Sequence, residues 1–184
     1  MDINDTPQLF DTVISDINSC MSTELTWLTN TFGRARKIIK VIDGKEYRIP
    51  AVYIGSGNYR EMLPDSMLGN YSFFWIPDTQ TLDARSRSSV RLKTNFSLII
   101  WYDIRTIFAD SNNTEAIKSQ ILTVLNTRLC IKSGSVRLTK ISESAENIYR
   151  EFTTTEASNQ YMMFPFCGIR IDGEMTKTQD CINI

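Results

Sequence analysis

Histidine is missing from all 184 residues, which removes the commonest general base and a preferred metal ligand before any motif is considered. Cysteine is scarce: four residues stand singly at 20, 130, 167 and 181, with no CxxC pair. That spacing argues against a zinc site and a disulfide framework, and predicts buried thiols of a reducing compartment. No stretch approaches the ~20 apolar residues of a membrane span. The opening MDINDTPQ has neither the basic start nor the apolar run of a signal peptide. The expected product is soluble and unexported, with no membrane contact.

Neither sign of charge dominates, since 20 Lys and Arg face 21 Asp and Glu. The distribution is uneven. Residues 1–33 hold Asp2, Asp5, Asp11, Asp16 and Glu24 and no basic side chain. Arg34, Arg36, Lys37, Lys40, Lys45 and Arg48 then crowd the segment 34–48 beside Asp43 and Glu46, and Arg85, Arg87, Arg91 and Lys93 follow a polar loop. Charge segregated by element suits a surface on which one copy's acidic side meets another's basic side. On that ground Arg85, Arg87 and Arg91 are the expected subunit contacts of one copy, and Asp11, Asp16 and Glu24 those of the next.

The remaining composition, 42% hydrophobic, 22% charged and 10% aromatic, fits one domain over 1–184 that buries roughly 70% of its unfolded surface. Thr6 and Pro7 punctuate a first helix, with Asp11 near its positive end. Phe10, Val13, Ile14, Ile17, Met21, Leu25, Leu28 and Phe32 recur at helical spacing, Asn18 faces elsewhere, and Gly33 supplies the stop. Asp43-Gly44 between β-rich runs marks a hairpin, in which Pro50 calls for an edge or a bulge. Residues 55–70 read as an irregular excursion, YSFFWI as a short strand, and 77–89 as an exposed loop.

The longest strand pattern covers about 89–107, with Leu98 and Ile100 on its buried face. A second helix carries Ile117, Ile121 and Leu125 inward, with Asn112 and Glu115 at capping-box spacing. SVRLTKISE is a strand and AENIYREF a short helix. A closing strand over about 161–176 turns Cys167, Ile169, Ile171 and Met175 inward and Arg170, Asp172 and Glu174 outward. The order predicts an α+β fold, an antiparallel sheet with two amphipathic helices packed on one face.

Chemical motifs are thin. Asp172 and Glu174 lie two apart on one strand face, a placement open to acid–base pairing but more ordinary as a solvated or subunit-facing surface. Cys167 lacks an activating histidine and reads as structural. GSGN at 55–58 lacks the ending of a phosphate loop and reads as a turn. No catalytic residue, metal or cofactor is expected, and the chain is not expected to be an enzyme. The alternative is a nucleic-acid-binding or genome-packaging accessory that uses the Arg85 to Lys93 group on phosphates.

The element order, together with the closing FPFCGIRIDGEM, is similar to tail terminator and tail completion proteins of tailed bacteriophages. The asparagine- and isoleucine-rich composition with short polar loops looks most like the neck ring proteins of crAss-like phages. The excursion at 55–70 and the Arg-bearing loop at 77–89 depart from compact terminators. The resemblance implies a structural virion protein at the head–tail junction. Copies of the chain itself would close a ring of about six or twelve subunits. Its neighbours would be the portal and other neck or tail proteins, and DNA would pass through the channel without sequence recognition.

Overall fold

The computed structural model describes residues 8–64, 66–83, 89–108, 113–127, 131–153 and 163–180. In chain order these form α1 (Phe10–Glu24), β1 (Asn30–Ile42), β2 (Lys45–Gly55), β3 (Asn58–Glu61), β4 (Tyr71–Trp75), β5 (Thr81–Asp83), β6 (Ser89–Asp103), α2 (Thr114–Thr127), β7 (Ser135–Ser142), α3 (Ala145–Ile148) and β8 (Phe166–Asp180). Single 3₁₀ turns stand at Ser66–Leu68 and Ile104–Thr106. The fold is α+β, with one eight-stranded sheet in the order β3-β2-β1-β4-β6-β8-β7 and β5 beside β4's partner β6.

Strict alternation makes β6 the spine. It pairs along its whole length with β8, from Ser89 opposite Asp180 to Asp103 opposite Phe166, while its other edge takes β4 and β5. Its even residues Phe96, Leu98, Ile100 and Tyr102 enter one core with Phe10, Ile14 and Ile17 of α1, Ile117 and Ile121 of α2, and Ile169 and Ile171 of β8. Leu125 packs against that core half-buried. Its odd residues Ile99 and Trp101 enter a second core on the opposite face, with Tyr71, Phe73 and Trp75 of β4 and with Ile148, Tyr149 and Phe152. Both faces of the central strands are therefore covered, which explains why YSFFW reads as an unbroken apolar run.

Several expectations are corrected. The sheet is mixed rather than antiparallel, because the chain makes its β1-β2-β3 meander outward and then returns to lay β4 parallel to β1. The first helix ends at Glu24 and Gly33 lies inside β1. Threonines at 23, 26, 29 and 31 disfavour a further helical turn, while Leu25 and Leu28 stay buried at a tight turn closed by the Leu28 N–H on the Leu25 carbonyl (2.9 Å) and Phe32 stays buried in β1. Asn18 is buried, its amide donating to the Phe32 carbonyl (3.1 Å). The excursion at 55–70 contains β3, and 77–89 contains β5. Asn113, not Asn112, caps α2 by accepting the Ala116 N–H (3.0 Å); Asn112, like Thr6 and Pro7, lies outside the described residues. Cys20 is disulfide-bonded and Cys167 is a free thiol, because proximity in the fold, which sequence spacing does not encode, decides which thiols meet.

The two turns with left-handed backbone follow the sequence closely. Asp43 (φ 51°) and Gly44 (φ 74°) close β1-β2, and Ser56 (φ 51°) and Gly57 (φ 78°) close β2-β3, as two-residue hairpins require. Pro50 sits where β2 outlasts β3. Its carbonyl accepts the Met62 N–H (2.8 Å) on the side away from β1, so the missing donor takes nothing from the β1 ladder.

Gly173 is held by a close approach. A Cβ there would lie 2.6 Å from both the Arg137 carbonyl and the Phe96 ring, beside the bulge at Leu138–Lys140. Gly173→Ala should destabilise the fold by about 1–3 kcal/mol, read as a fall of several degrees in Tm. An unchanged Tm would mean that β7 and Phe96 yield freely.

Candidate functional site

The residues with the most chemistry are drawn into one buried polar network. Arg170, on β8, is only 1% exposed because the segment after α3 folds across its strand face. Its guanidinium donates to both Glu151 oxygens, one of them at 2.6 Å, to Asp172 (2.8 Å), to the Ser97 hydroxyl (2.6 Å) and to the Ile148 carbonyl (3.2 Å). Ser97 in turn donates to Asp172 (2.7 Å), and Arg150 lies 3.4 Å from the second Asp172 oxygen. Burial pushes the Glu151 and Asp172 carboxyls up, but hydrogen bonds from Arg170, joined by Arg150 at Glu151 and by Ser97 at Asp172, outweigh it and hold both below the ordinary range. A general acid needs the opposite shift.

This overturns the outward placing of Arg170 and, for Asp172 though not for the exposed Glu174, the reading as a solvated or subunit-facing surface. It also separates the suspected acidic pair, since Asp172 is committed to two arginines while Glu174 is exposed. Strand alternation assigns a face without saying what covers it, and Glu151 lies 19 residues from its arginine. The signal available was Arg170 itself, a cation between Ile169 and Ile171. The Cys167 thiol is pushed up by burial, with Asp103 and Glu143 adding to it, and it is half-buried among apolar neighbours. GSGN forms the β2-β3 turn. Among the described residues no group of three or more Cys, Asp and Glu side chains is placed to hold a metal ion, and no helix is long and apolar enough to cross a membrane.

The expected ring contacts are only partly brought into view. Arg85 and Arg87 lie outside the described residues. Arg91 is half-buried on β6 opposite Asp83 of β5. Asp16 accepts the Lys132 and Ser133 N–H groups (both 2.8 Å), so its carboxylate anchors the entry to β7 in its own chain. Asp11 shares an open cleft of about 320 Å³ with Arg34 and Arg36 of the same chain, and Glu24 is exposed at the end of α1.

A surface that charge counting missed is the tip of the β1-β2 hairpin. Lys37 is seated on the body, its ammonium 5.0 Å from the Trp75 ring centre. From Ile38 to Arg48 the two strands run on as a ribbon, extending roughly 15 Å at ~3.4 Å per residue, tied to the body where Lys40 pairs with Glu61 of β3 and where the Arg48 carbonyl accepts the Thr153 N–H (2.8 Å). Ile39 is 64% exposed, Val41 67% and Ile42 43%, on opposite faces of the ribbon. An isolated two-stranded hairpin is marginal in water, and exposed branched aliphatics on both faces add to that cost. The sequence signal was present, since KIIKVI alternates poorly for a half-buried strand.

At the opposite end of the sheet, Trp27, Trp101 and Phe166 line a second open cleft of about 320 Å³ with Asn70 and Asp103. Asn70 fixes it, donating to the Trp27 carbonyl (2.9 Å) and the Thr106 hydroxyl (2.8 Å) and accepting the Asp103 N–H (2.9 Å). Compared with models of known protein families and with curated proteins, the chain matches none.

Proposed function

We propose that the chain is a structural virion protein of a tailed phage, whose copies close a homo-oligomeric ring at the head–tail junction around the DNA channel. The observation that carries this reading is the arm Ile38–Arg48, whose Ile39, Val41 and Ile42 side chains stand exposed. A chain that holds branched aliphatics away from its own body presents them to another chain, because large exposed apolar surface marks association sites. Two further features support it. The sheet is open, with β3 at one edge and β7 at the other, so that unlike edges of neighbouring copies can face each other around a cycle. The element order and closing strand resemble tail terminator and neck ring proteins.

In this role the protein works without catalytic residue, metal or cofactor. The portal and adjoining neck or tail proteins are its axial neighbours, and DNA passes without sequence readout. The Arg-bearing loop before β6 reaches a neighbouring copy or ring. Antibody raised against the chain should decorate tailed particles that encode it at the junction of head and tail. Particles that lack the protein, combined with duplex DNA binding that weakens steeply with salt, would replace this reading by a packaging accessory.

A further inference from the structure

The arm lies at one end of the sheet and the aromatic cleft at the other, and their chemistries match. Because β1 runs parallel to β4, the arm projects past the end of β4. The cleft lies where β6 ends and β4 and β8 begin, near Asn70, Asp103 and Phe166. Two exposed apolar side chains stand close to its lining in sequence: Met67, 90% exposed, two residues before Gly69, and Phe164, 67% exposed, two residues before Phe166. Each end of the molecule thus shows apolar surface, aliphatic and protruding at one, and at the other the half-buried Trp27 and Phe166 rings recessed among polar residues, with Trp101 buried against Phe166.

Charge separates the same two ends. On the arm and the neighbouring strand ends stand Lys40, Lys45, Arg48, Arg91, Lys93 and Lys177 against Asp43, Glu46, Glu61, Asp83 and Asp180, an excess of one positive charge (six less five). At the cleft end stand Glu24, Asp103, Glu115 and Glu143 against Arg105 and Lys118, an excess of two negative charges (four less two). The other edge available to the arm, β7, carries Arg137 and Lys140 and is unfavourable on charge.

We infer that the arm of one copy docks into the Trp27–Trp101–Phe166 cleft of a second copy of this chain, with Ile39 and Val41 against the aromatic lining and Met67 and Phe164 closing over them. The contact is head-to-tail, and such a contact closes a ring when its rotation permits. The inference deepens the ring proposal and rests on it. The arm's eleven residues, Ile38 to Arg48, are roughly half or less of the 20–30 residues a side of a standard interface, so a single contact is weak and closure of the cycle is what makes it persist.

The test is cross-linking of the full chain. A Val41→Cys/Met67→Cys protein, treated with a short bis-maleimide, should give a ladder of dimers, trimers and higher species. Val41→Cys mixed with Met67→Cys should give dimers only, and neither single variant alone should cross-link above the parent protein. Ile39→Asp/Val41→Asp should weaken association at least about tenfold, as loss of central apolar anchors does, with the monomer's Tm unchanged because both positions are exposed. Dimers from Val41→Cys alone would mean that arm meets arm, which overturns the inference. So would a wild-type protein that sediments as an oligomer while the paired cysteines stay unlinked, an outcome that leaves the ring standing. A wild type that stays monomeric at every concentration removes both.

Discussion

A Leu98→Asp or Ile100→Asp chain is expected to lose its cooperative melt at ordinary temperatures. Both side chains are 1% exposed or less, on the strand that carries β4 and β5 on one edge and β8 on the other. Their side chains are shared between both helices and the sheet. Each contributes roughly 1.5–3 kcal/mol by leaving water, and a buried carboxylate without a partner adds several kcal/mol of penalty. Set against a total stability of about 5–15 kcal/mol, the sum approaches the whole. Circular dichroism melts of the two variants beside Lys93→Asp, an exposed position on the same strand, measure this. Wild-type melts in the first two would mean that β6 is not the spine.

Arg170→Met should cost nearly as much for the opposite reason. The arginine is not a large source of net stability, because desolvating it offsets much of its attraction to Glu151 and Asp172. Removing it strands those carboxylates in a half-buried site, and breaking such a pair costs about 3–5 kcal/mol. The double change Arg170→Met/Glu151→Gln, which deletes one orphaned charge, should recover part of the loss. The same network sets a dependence on acid. Glu151 and Asp172 are held below their ordinary carboxyl values in the fold, so the unfolded chain binds protons first as pH falls. Their contribution is complete above the ordinary carboxylate range near pH 4 and is lost as pH drops through the depressed values. Melts across pH 2–6 should show a steeper acid loss in the wild type than in Arg170→Met, where the shifts collapse. Parallel curves would contradict the electrostatic account of this cluster.

How far the sequence led can be judged residue by residue. The alternation from Val90 to Tyr102 located β6 and the side of Leu98 and Ile100, because period two is a local property of the chain. Asp43-Gly44 located a hairpin for a similarly local reason, the φ > 0 that both turn positions require. The end of α1 was misread because Leu25, Leu28 and Phe32 keep helical spacing and are buried, although a tight turn and then a strand carry them. The parallel β1–β4 pair, the second core and the Arg170 network each depend on segments that meet only in the fold. The site was less legible than the fold. Charge segregation pointed to Asp16 as an outer contact, yet two N–H groups of its own chain use it. The arm was visible as a hairpin, and KIIKVI alternates poorly for a half-buried strand, but which of its aliphatic side chains stay exposed depends on the body it leaves.

The central claim is that identical copies close a cycle, and negative-stain electron microscopy of the concentrated, purified protein tests it most directly. The account predicts annular particles with a central hole and a single rotational symmetry, and their loss in Ile39→Asp/Val41→Asp. A field of monomer-sized particles, or open filaments without rings, would contradict it.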